Sequence, residues 1–537
     1  MSQFPDPIRE GLARGWAVRG GPYGQAPARI DCDVAIIGSG AGAGITAELL
    51  TKAGLKVVIV EEGPLRSSSD FHQRESEAYP SLYQESAARK TADKAINILQ
   101  GRCVGGSTTV NWTSSFRTPV ETLEHWRQNF ALPTYDNDSL APYFAQAEKR
   151  LNIAPWLAAP NENNDLLRRG AARLGIPAAA IPRNVKGCWN LGSCGLGCPT
   201  NAKQSMLVTT IPAALDRGAT LLVETRAERF EIAGGRVRAL RCAAVSANGG
   251  ARSAPAVDVF ARHYVLAAGA INSPAVLLRS EAPDPHGRLG RRTFLHPVVL
   301  SAATMEQKVE GWQGAPQSIY SDHFLHTQAI DGPMGFKLEA PPLHPVIFAS
   351  TVTGFGEQHA KLLRGFPYTH VQLALLRDGF HAESPGGVVG LRSDGSPVLD
   401  YPLTDFVMEG GRRALLAMAE IQFAAGAREV VPVHELARPY TSWREARDAI
   451  AQLPMKPLLA KWVSAHVMGG CGLAGDERLG VVRPDGVHWQ LENLSVHDGS
   501  LFPTSIGANP QLSIYGIVNR LAQALAQRLG GGNVMLA

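Results

Sequence analysis

A chain of 537 residues exceeds what one compact core usually holds, so two joined domains are expected. Hydrophobic residues at 45% and charged residues at 19% exclude a disordered or fibrous protein. The 52 lysines and arginines nearly balance 48 acidic residues, with no basic run or tail, which argues against nucleic acid as a partner.

Residues 1–27 carry Gly20-Gly21-Pro22 and Pro27 and predict an irregular arm ahead of the first strand. That arm begins Met1-Ser2-Gln3-Phe4-Pro5, without the basic start and apolar stretch of a secretory signal. From Asp31 the pattern is strand, turn, helix, strand: Val34–Ile37 is apolar, Gly38–Gly44 is glycine-rich, Ile45–Leu50 suits a helix, and Lys56–Val60 is a second β-branched run. This is a βαβ unit of a parallel sheet. Between 300 and 400 the runs are shorter, at Val371–Leu376 and Val388–Leu391, with a turn at Ser393-Asp394-Gly395-Ser396. They predict an antiparallel sheet, followed by a helix over Arg412–Ala425. Near the C-terminus Ile514, Ile517, Val518, Leu521 and Leu525 recur at helical spacing before Gly530-Gly531-Gly532. The expected fold class is α/β. A Rossmann-like nucleotide domain (28–114 with 199–290 and 456–537) is interrupted by a second domain (115–198 with 291–455) that has an antiparallel sheet and helices. No run reaches the roughly 18 apolar residues of a membrane-spanning helix.

Gly38-Ser39-Gly40-Ala41-Gly42-Ala43-Gly44 stands at the first βα turn. Gly38 permits the tight turn, Gly40 lets the backbone approach a pyrophosphate at the helix N-terminus, and Ala43 is small enough for helix–strand packing. Glu61 ends the second strand, where a carboxylate bonds adenosine ribose hydroxyls. The competing explanation is a glycine-rich structural turn. A second row, Gly101-Arg102-Cys103-Val104-Gly105-Gly106-Ser107-Thr108-Thr109-Val110-Asn111, would let the backbone wrap an extended cofactor.

This row resembles the first signature of the glucose–methanol–choline oxidoreductase family. Gly269-Ala270-Ile271-Asn272-Ser273-Pro274 is similar to the family's second signature. The resemblance recurs at His466-Val467-Met468-Gly469-Gly470-Cys471 and at Asp498-Gly499-Ser500-Leu501-Phe502-Pro503, leading to Asn509-Pro510. It is closest in pattern to the cholesterol oxidase and long-chain alcohol oxidase branch. It departs from the family at Phe116, one place late, and at Glu281, where a glycine is usual. The resemblance implies FAD, held by Gly38, Ser39, Gly40, Ala43, Glu61, Gly105, Gly106, Ser107, Asn111, Gly269, Asp498, Gly499 and Pro510. Members that bind FAD covalently use a histidine near the first signature; this chain has none between His72 and His125, so non-covalent FAD is expected.

The resemblance also makes His466 the catalytic histidine and Asn509 the second active-site residue. The chemistry is coherent: an alcohol gives its hydride to flavin N5 once its hydroxyl proton can leave. An imidazole near its ordinary pKa of about 6.5 accepts that proton at neutral pH. An asparagine NH₂ can hold the developing alkoxide. A helix starting near Pro510 would favour negative charge on the reduced flavin. The bland alternative for His466 is a buried structural histidine. The cholesterol oxidase branch adds a glutamate base; Glu339 and Glu383 are candidates, each expected to be a solvated charge.

Seven cysteines are few and odd in number, which argues against a disulfide framework and for a reducing compartment. A cytoplasmic protein is expected, with peripheral membrane contact compatible. Cys188, Cys194 and Cys198 resemble the three-cysteine site of an iron–sulfur cluster in certain FAD-dependent glucose dehydrogenases. Zinc, free thiols or a tightly packed glycine loop are the alternatives. The apolar stretch Gly335–Leu338 to Pro345–Phe348, taken with the resemblance, points to a small hydrophobic substrate. The leading expectation is oxidation of a long-chain or sterol-like alcohol, with oxygen, a quinone or a partner protein as acceptor. Dehydrogenation of a fatty acyl chain is the enzymatic alternative, and a flavin-binding electron-transfer module is the alternative of another class.

Overall fold

The computed structural model describes residues 5–253 and 255–536. The strand Arg29–Ile37 is apolar and buried from Val34 onward, and it pairs in parallel with Val57–Val60 on one side and Val257–Leu266 on the other. Thr220–Leu222 continues the parallel set beside Val57–Val60, and Leu494–Val496 joins it beside Val257–Leu266. Arg236–Ala244 and Thr225–Ala233 extend this sheet antiparallel beyond Val257–Leu266. Strands buried on both faces read as continuous β-branched runs, which is why this half follows its sequence pattern closely.

The N-terminal arm is not irregular. Residues 1–4 lie outside the described residues, but Pro7–Ala13 is a helix, and Ala17–Arg19 is a strand parallel to Thr220–Leu222. Asp6 caps that helix by accepting from the Ile8 and Arg9 N–H groups, Pro7 suits the first turn, and Trp16 and Val18 are buried.

A second sheet runs through Ile96–Ile98, Trp462–Ser464, Val298–Thr304, Thr369–Leu376, Phe336–Glu339, Ile319–Ser321 and Ala179–Ala180. Its pairs are antiparallel except Ile96–Ile98 with Trp462–Ser464. One face packs on the helix Asp405–Ala424, which starts seven residues earlier than its pattern suggested because Thr404 caps it. Gly387–Leu391 and Pro397–Asp400 pair antiparallel around the turn expected at Ser393–Ser396.

The chain segments cross between the two cores differently from the expected partition. The helices Val120–Asn129 and Asn137–Arg150 and the turn between them, expected with the second sheet, bury Trp126, Phe144 and Tyr135 in the core of the nucleotide sheet. Ile96, Ile98 and Trp462, expected with the nucleotide sheet, pack in the other core. The reason is helix coverage: Asn137–Arg150 lies against the C-terminal helix Gln511–Arg528, whose Gly516 has no room for a Cβ beside the Phe144 ring. Among the described residues no helix is long and apolar enough to cross a membrane.

Helix Ala41–Lys52 is drawn equally close to the strand end at Leu494–Val496. A Cβ on Gly42 would stand 1.7 Å from the His497 carbonyl oxygen, a backbone atom that cannot swing aside. Gly42→Ala is expected to lower stability by about 1–3 kcal/mol, as overpacking does, and to appear as a lower Tm in thermal unfolding. An unchanged Tm would show that this contact relaxes freely.

Candidate active site

A cavity of about 570 Å³ runs between the two sheets. It is lined by Gly38, Ser39, Gly40, Glu61, Gly106, Ser107, Asn111, Gly269, Asp498, Gly499 and Pro510, and also by His466 and Asn509. Of the residues expected to hold FAD, Ala43 and Gly105 do not line it. Ala43 is buried in the helix behind the glycine turn, and Gly105 packs against Thr109 while its N–H donates to Ser39 Oγ at 3.0 Å.

At one end, Ser39 Oγ donates to Glu61 Oε2 at 2.6 Å, and the Gly63 N–H donates to Glu61 Oε1 at 2.7 Å. Burial pushes the Glu61 carboxyl up to about 7 despite these two donors. Gly40 heads the helix Ala41–Lys52, and a Cβ on Gly106 would stand 2.8 Å from Gly40 Cα. The two loops therefore meet backbone to backbone, leaving a cradle that side chains would fill. Asp498 accepts from the Gly269 N–H at 2.8 Å and from Ser273 Oγ at 2.5 Å, holding two signature blocks together. Asn111 Nδ2 donates to Gln511 Oε1 at 2.7 Å at the start of the C-terminal helix.

At the other end, His466 Nδ1 lies 3.1 Å from His296 Nδ1, which leaves Nε2 of His466 for the cavity. Burial, and then the Lys337 cation, push His466 down to about 3, well below its expected ordinary value. The imidazole is thus neutral throughout the physiological range. His296 takes a left-handed backbone at φ 48° and is buried; Asp378 secures it by accepting from the Leu295 and His296 N–H groups, both at 3.1 Å.

Asn509 stands in a polar group that was not foreseen. Lys337 Nζ donates to Asn509 Oδ1 at 2.9 Å and is 3.1 Å from Glu339 Oε1. Gln317, on the cavity wall, donates to Glu339 Oε2 at 2.6 Å. Glu339 is therefore no solvated charge: it is fully buried, whereas the Glu383 side chain is exposed. A signal was available. Lys337 and Glu339 are two apart in a strand, so both point to one face, while Phe336 and Leu338 enter the core on the other. No comparable signal marked His296 or Gln317.

The three cysteines do not line the cavity. Arg183 Nη2 lies 3.6 Å from Cys194 Sγ, Cys188 Sγ accepts from the Asn190 N–H, and Cys198 Sγ lies 3.5 Å from Thr200 Oγ1. Burial raises the Cys188 thiol; it would also raise Cys198, but hydrogen bonds from the Lys203 backbone and Thr200 bring that thiol below its ordinary value. Among the described residues no group of three or more His, Cys, Asp or Glu side chains is placed to hold a metal ion, so the iron–sulfur expectation finds no support in this arrangement.

The buried Glu61 makes a prediction about protein free of nucleotide. Its folded carboxyl is raised from 4.5 to about 7, so its contribution to stability is complete below the unfolded value and is lost as pH rises through about 7. Glu61→Gln cannot ionise. The Tm of the wild type is expected to fall relative to Glu61→Gln between about pH 5 and pH 8, and a pH-independent difference would contradict the burial of an ionising carboxyl.

Models of the GMC oxidoreductase family match residues 79–298 and 384–517. An uncharacterized GMC-type oxidoreductase of Mycobacterium tuberculosis is 31% identical over 510 residues, 94% of this chain and 78% of the relative. A long-chain-alcohol oxidase of Arabidopsis thaliana is 27% identical over 531 residues, 93% of this chain and 68% of the relative. Among solved structures, pyridoxine 4-oxidase from Mesorbium loti superposes with a TM-score of 0.69 at 19% identity, covering 92% of this chain and 99% of that one. A formate oxidase superposes with a TM-score of 0.68 at 15% identity, covering 94% of this chain and all of the other. These two likenesses concern the fold. The cradle between Gly40 and Gly106, with the buried Glu61 carboxyl at its edge, suits a dinucleotide that spans the cavity. The chain belongs to the GMC oxidoreductase family and is an FAD-dependent oxidoreductase.

Proposed function

We propose that this enzyme oxidises the CH–OH group of a hydrophobic, long-chain or sterol-like alcohol, with His466 as the base. The observation that carries this reading is the convergence of His466 and Asn509 on one cavity, with His466 Nδ1 occupied by His296. When bound, FAD supplies the hydride acceptor at flavin N5. The residues proposed to hold it are Gly38, Ser39, Gly40, Glu61, Gly106, Ser107, Asn111, Gly269, Asp498, Gly499 and Pro510, with Ala43 and Gly105 packing behind them.

The contact between the two histidines selects a tautomer. For His466 Nε2 to take the hydroxyl proton, the Nδ1–H of His466 must donate to His296 Nδ1, so His296 is a positioning residue. Because His466 is neutral above about pH 3, its lone pair is available without prior deprotonation. Asn509 donates an amide N–H to the substrate oxygen as negative charge grows there. The helix Gln511–Arg528 begins beside it, and its N-terminus would favour negative charge on the reduced flavin.

The alcohol class, and oxygen as the electron acceptor, are supported by the relatives named as long-chain-alcohol oxidases. Non-covalent FAD is supported by the lack of a histidine between His72 and His125, and by Cys103, whose buried thiol is pushed up to about 12 and so is a poor nucleophile.

Two measurements test this reading. Acid precipitation is expected to release the flavin into the supernatant; yellow colour held in the pellet would contradict non-covalent binding. His466→Ala is expected to lower turnover of a long-chain alcohol by about 10²–10⁴ with FAD still bound, and Asn509→Ala by about 10². Near-normal turnover in fully flavinylated His466→Ala would remove the base assignment.

A further inference from the structure

Behind Asn509 lies a buried pair of opposite charges that the proton transfer itself does not use. We propose that Lys337 is a positioning residue for the oxidation: together with Glu339 it locks the Asn509 amide so that nitrogen, and not oxygen, is presented to the reacting hydroxyl. This rests on the reading of His466 and Asn509 given above.

The chemistry of the two neighbours specifies the orientation twice over. An ammonium has only donors, so the amide atom 2.9 Å from Lys337 Nζ must be the oxygen. A carboxylate only accepts, so the atom 3.4 Å from Glu339 Oε2 must be the nitrogen. Turning the amide over would set donor against donor and acceptor against acceptor. With Oδ1 held by Lys337 and one Nδ2 hydrogen directed at Glu339, the second Nδ2 hydrogen is the group left for the cavity. The opposite orientation would meet the substrate oxygen with a lone pair just as that oxygen gains negative charge.

The pair is itself held in place. Lys337 Nζ sits 3.1 Å from the Phe116 ring centroid and 4.6 Å from that of Tyr320, beside two aromatic rings whose π-electrons attract a cation. Gln317 donates to Glu339 Oε2 at 2.6 Å. Lys337 is 1% exposed and Glu339 0%, so neither charge is shared with solvent. An apolar pair of similar volume would support the Phe336–Glu339 strand at least as well, because desolvating two charges offsets their attraction. Stability therefore gives no reason for ions here, whereas orientation of the neighbouring amide does.

The test uses FAD-loaded protein and 1-dodecanol as the alcohol. Lys337→Met combined with Glu339→Leu removes both charges together and leaves no lone buried ion. The double variant is expected to keep its flavin and a Tm close to wild type, with KM changed by less than about threefold. Its kcat is expected to fall by about 10², the scale on which a misplaced catalytic group acts. Wild-type kcat in that variant would overturn the proposal and leave the pair a packing feature. Should the double variant not fold, Lys337→Leu with Glu339→Met again removes both charges and both hydrogen-bond partners of the amide, and the same two outcomes apply. If 1-dodecanol fails to reduce even the wild-type flavin, the alcohol reading is what fails. The crystal structure of the double variant then decides for Lys337: an Asn509 side chain displaced from its wild-type rotamer supports the positioning role, and an unchanged one overturns it.

Discussion

The hydroxyl of Ser39 is the joint on which the cofactor end of the cavity depends. It donates to Glu61 and accepts from the Gly105 N–H, so one fully buried side chain ties the first βα turn, the end of the second strand and the glycine loop beyond residue 100. With those three segments drawn together, Gly40 and Gly106 touch through their backbones, and the space beside them stays open. A larger residue at Ser39 would separate the loops, and a smaller one would leave the Gly105 N–H without its partner, a cost of about 1–3 kcal/mol for a buried donor.

The other end of the cavity is governed by charge in a dry environment. Lys337 and Glu339 reach it from the second sheet, His296 from the turn ahead of Val298–Thr304, and His466 from the loop after Trp462–Ser464. Burial lowers His466 and His296 and lowers Lys337 to about 8, so both imidazoles are neutral at physiological pH while the lysine keeps its proton beside Glu339. A neutral imidazole and the Asn509 amide, the proposed proton acceptor and N–H donor, then line one cavity. That combination suits removal of a proton from a weakly acidic hydroxyl while its oxygen becomes anionic.

The nucleotide half was legible because its signals are local and redundant. Val34–Ile37 followed by Gly38–Gly44 and then by Val57–Val60 with Glu61 states strand, turn, helix and strand in 31 residues, counting Val34 to Glu61 with its flanks from Asp31. His466 and Asn509 were legible only through resemblance, since nothing in a lone histidine announces a cavity. Glu339 was misjudged because a charge in an apolar run suggests solvent; its partner two residues earlier on the same strand face was the missed clue. His296 was illegible because its contact with His466 joins segments 170 residues apart, and Gln317 because nothing local to a lone glutamine announces the buried carboxylate 22 residues further on. The N-terminal arm misled for a related reason. Its glycines and prolines mark real turns, yet Ala17–Arg19 gains its order from Thr220–Leu222, a partner that no local pattern reveals.

The central claim is that a hydride leaves the carbon of an alcohol while His466 takes the hydroxyl proton. Anaerobic rapid mixing of the FAD-loaded enzyme with 1-dodecanol and with its 1,1-dideuterated form tests it most directly, because flavin bleaching is then observed without any electron acceptor. Bleaching by the alcohol, slowed several-fold by deuterium at the carbinol carbon, is the expected result. Bleaching by fatty acyl substrates with none by alcohols, or a rate unaffected by deuterium under conditions where mixing and binding are fast, would contradict it.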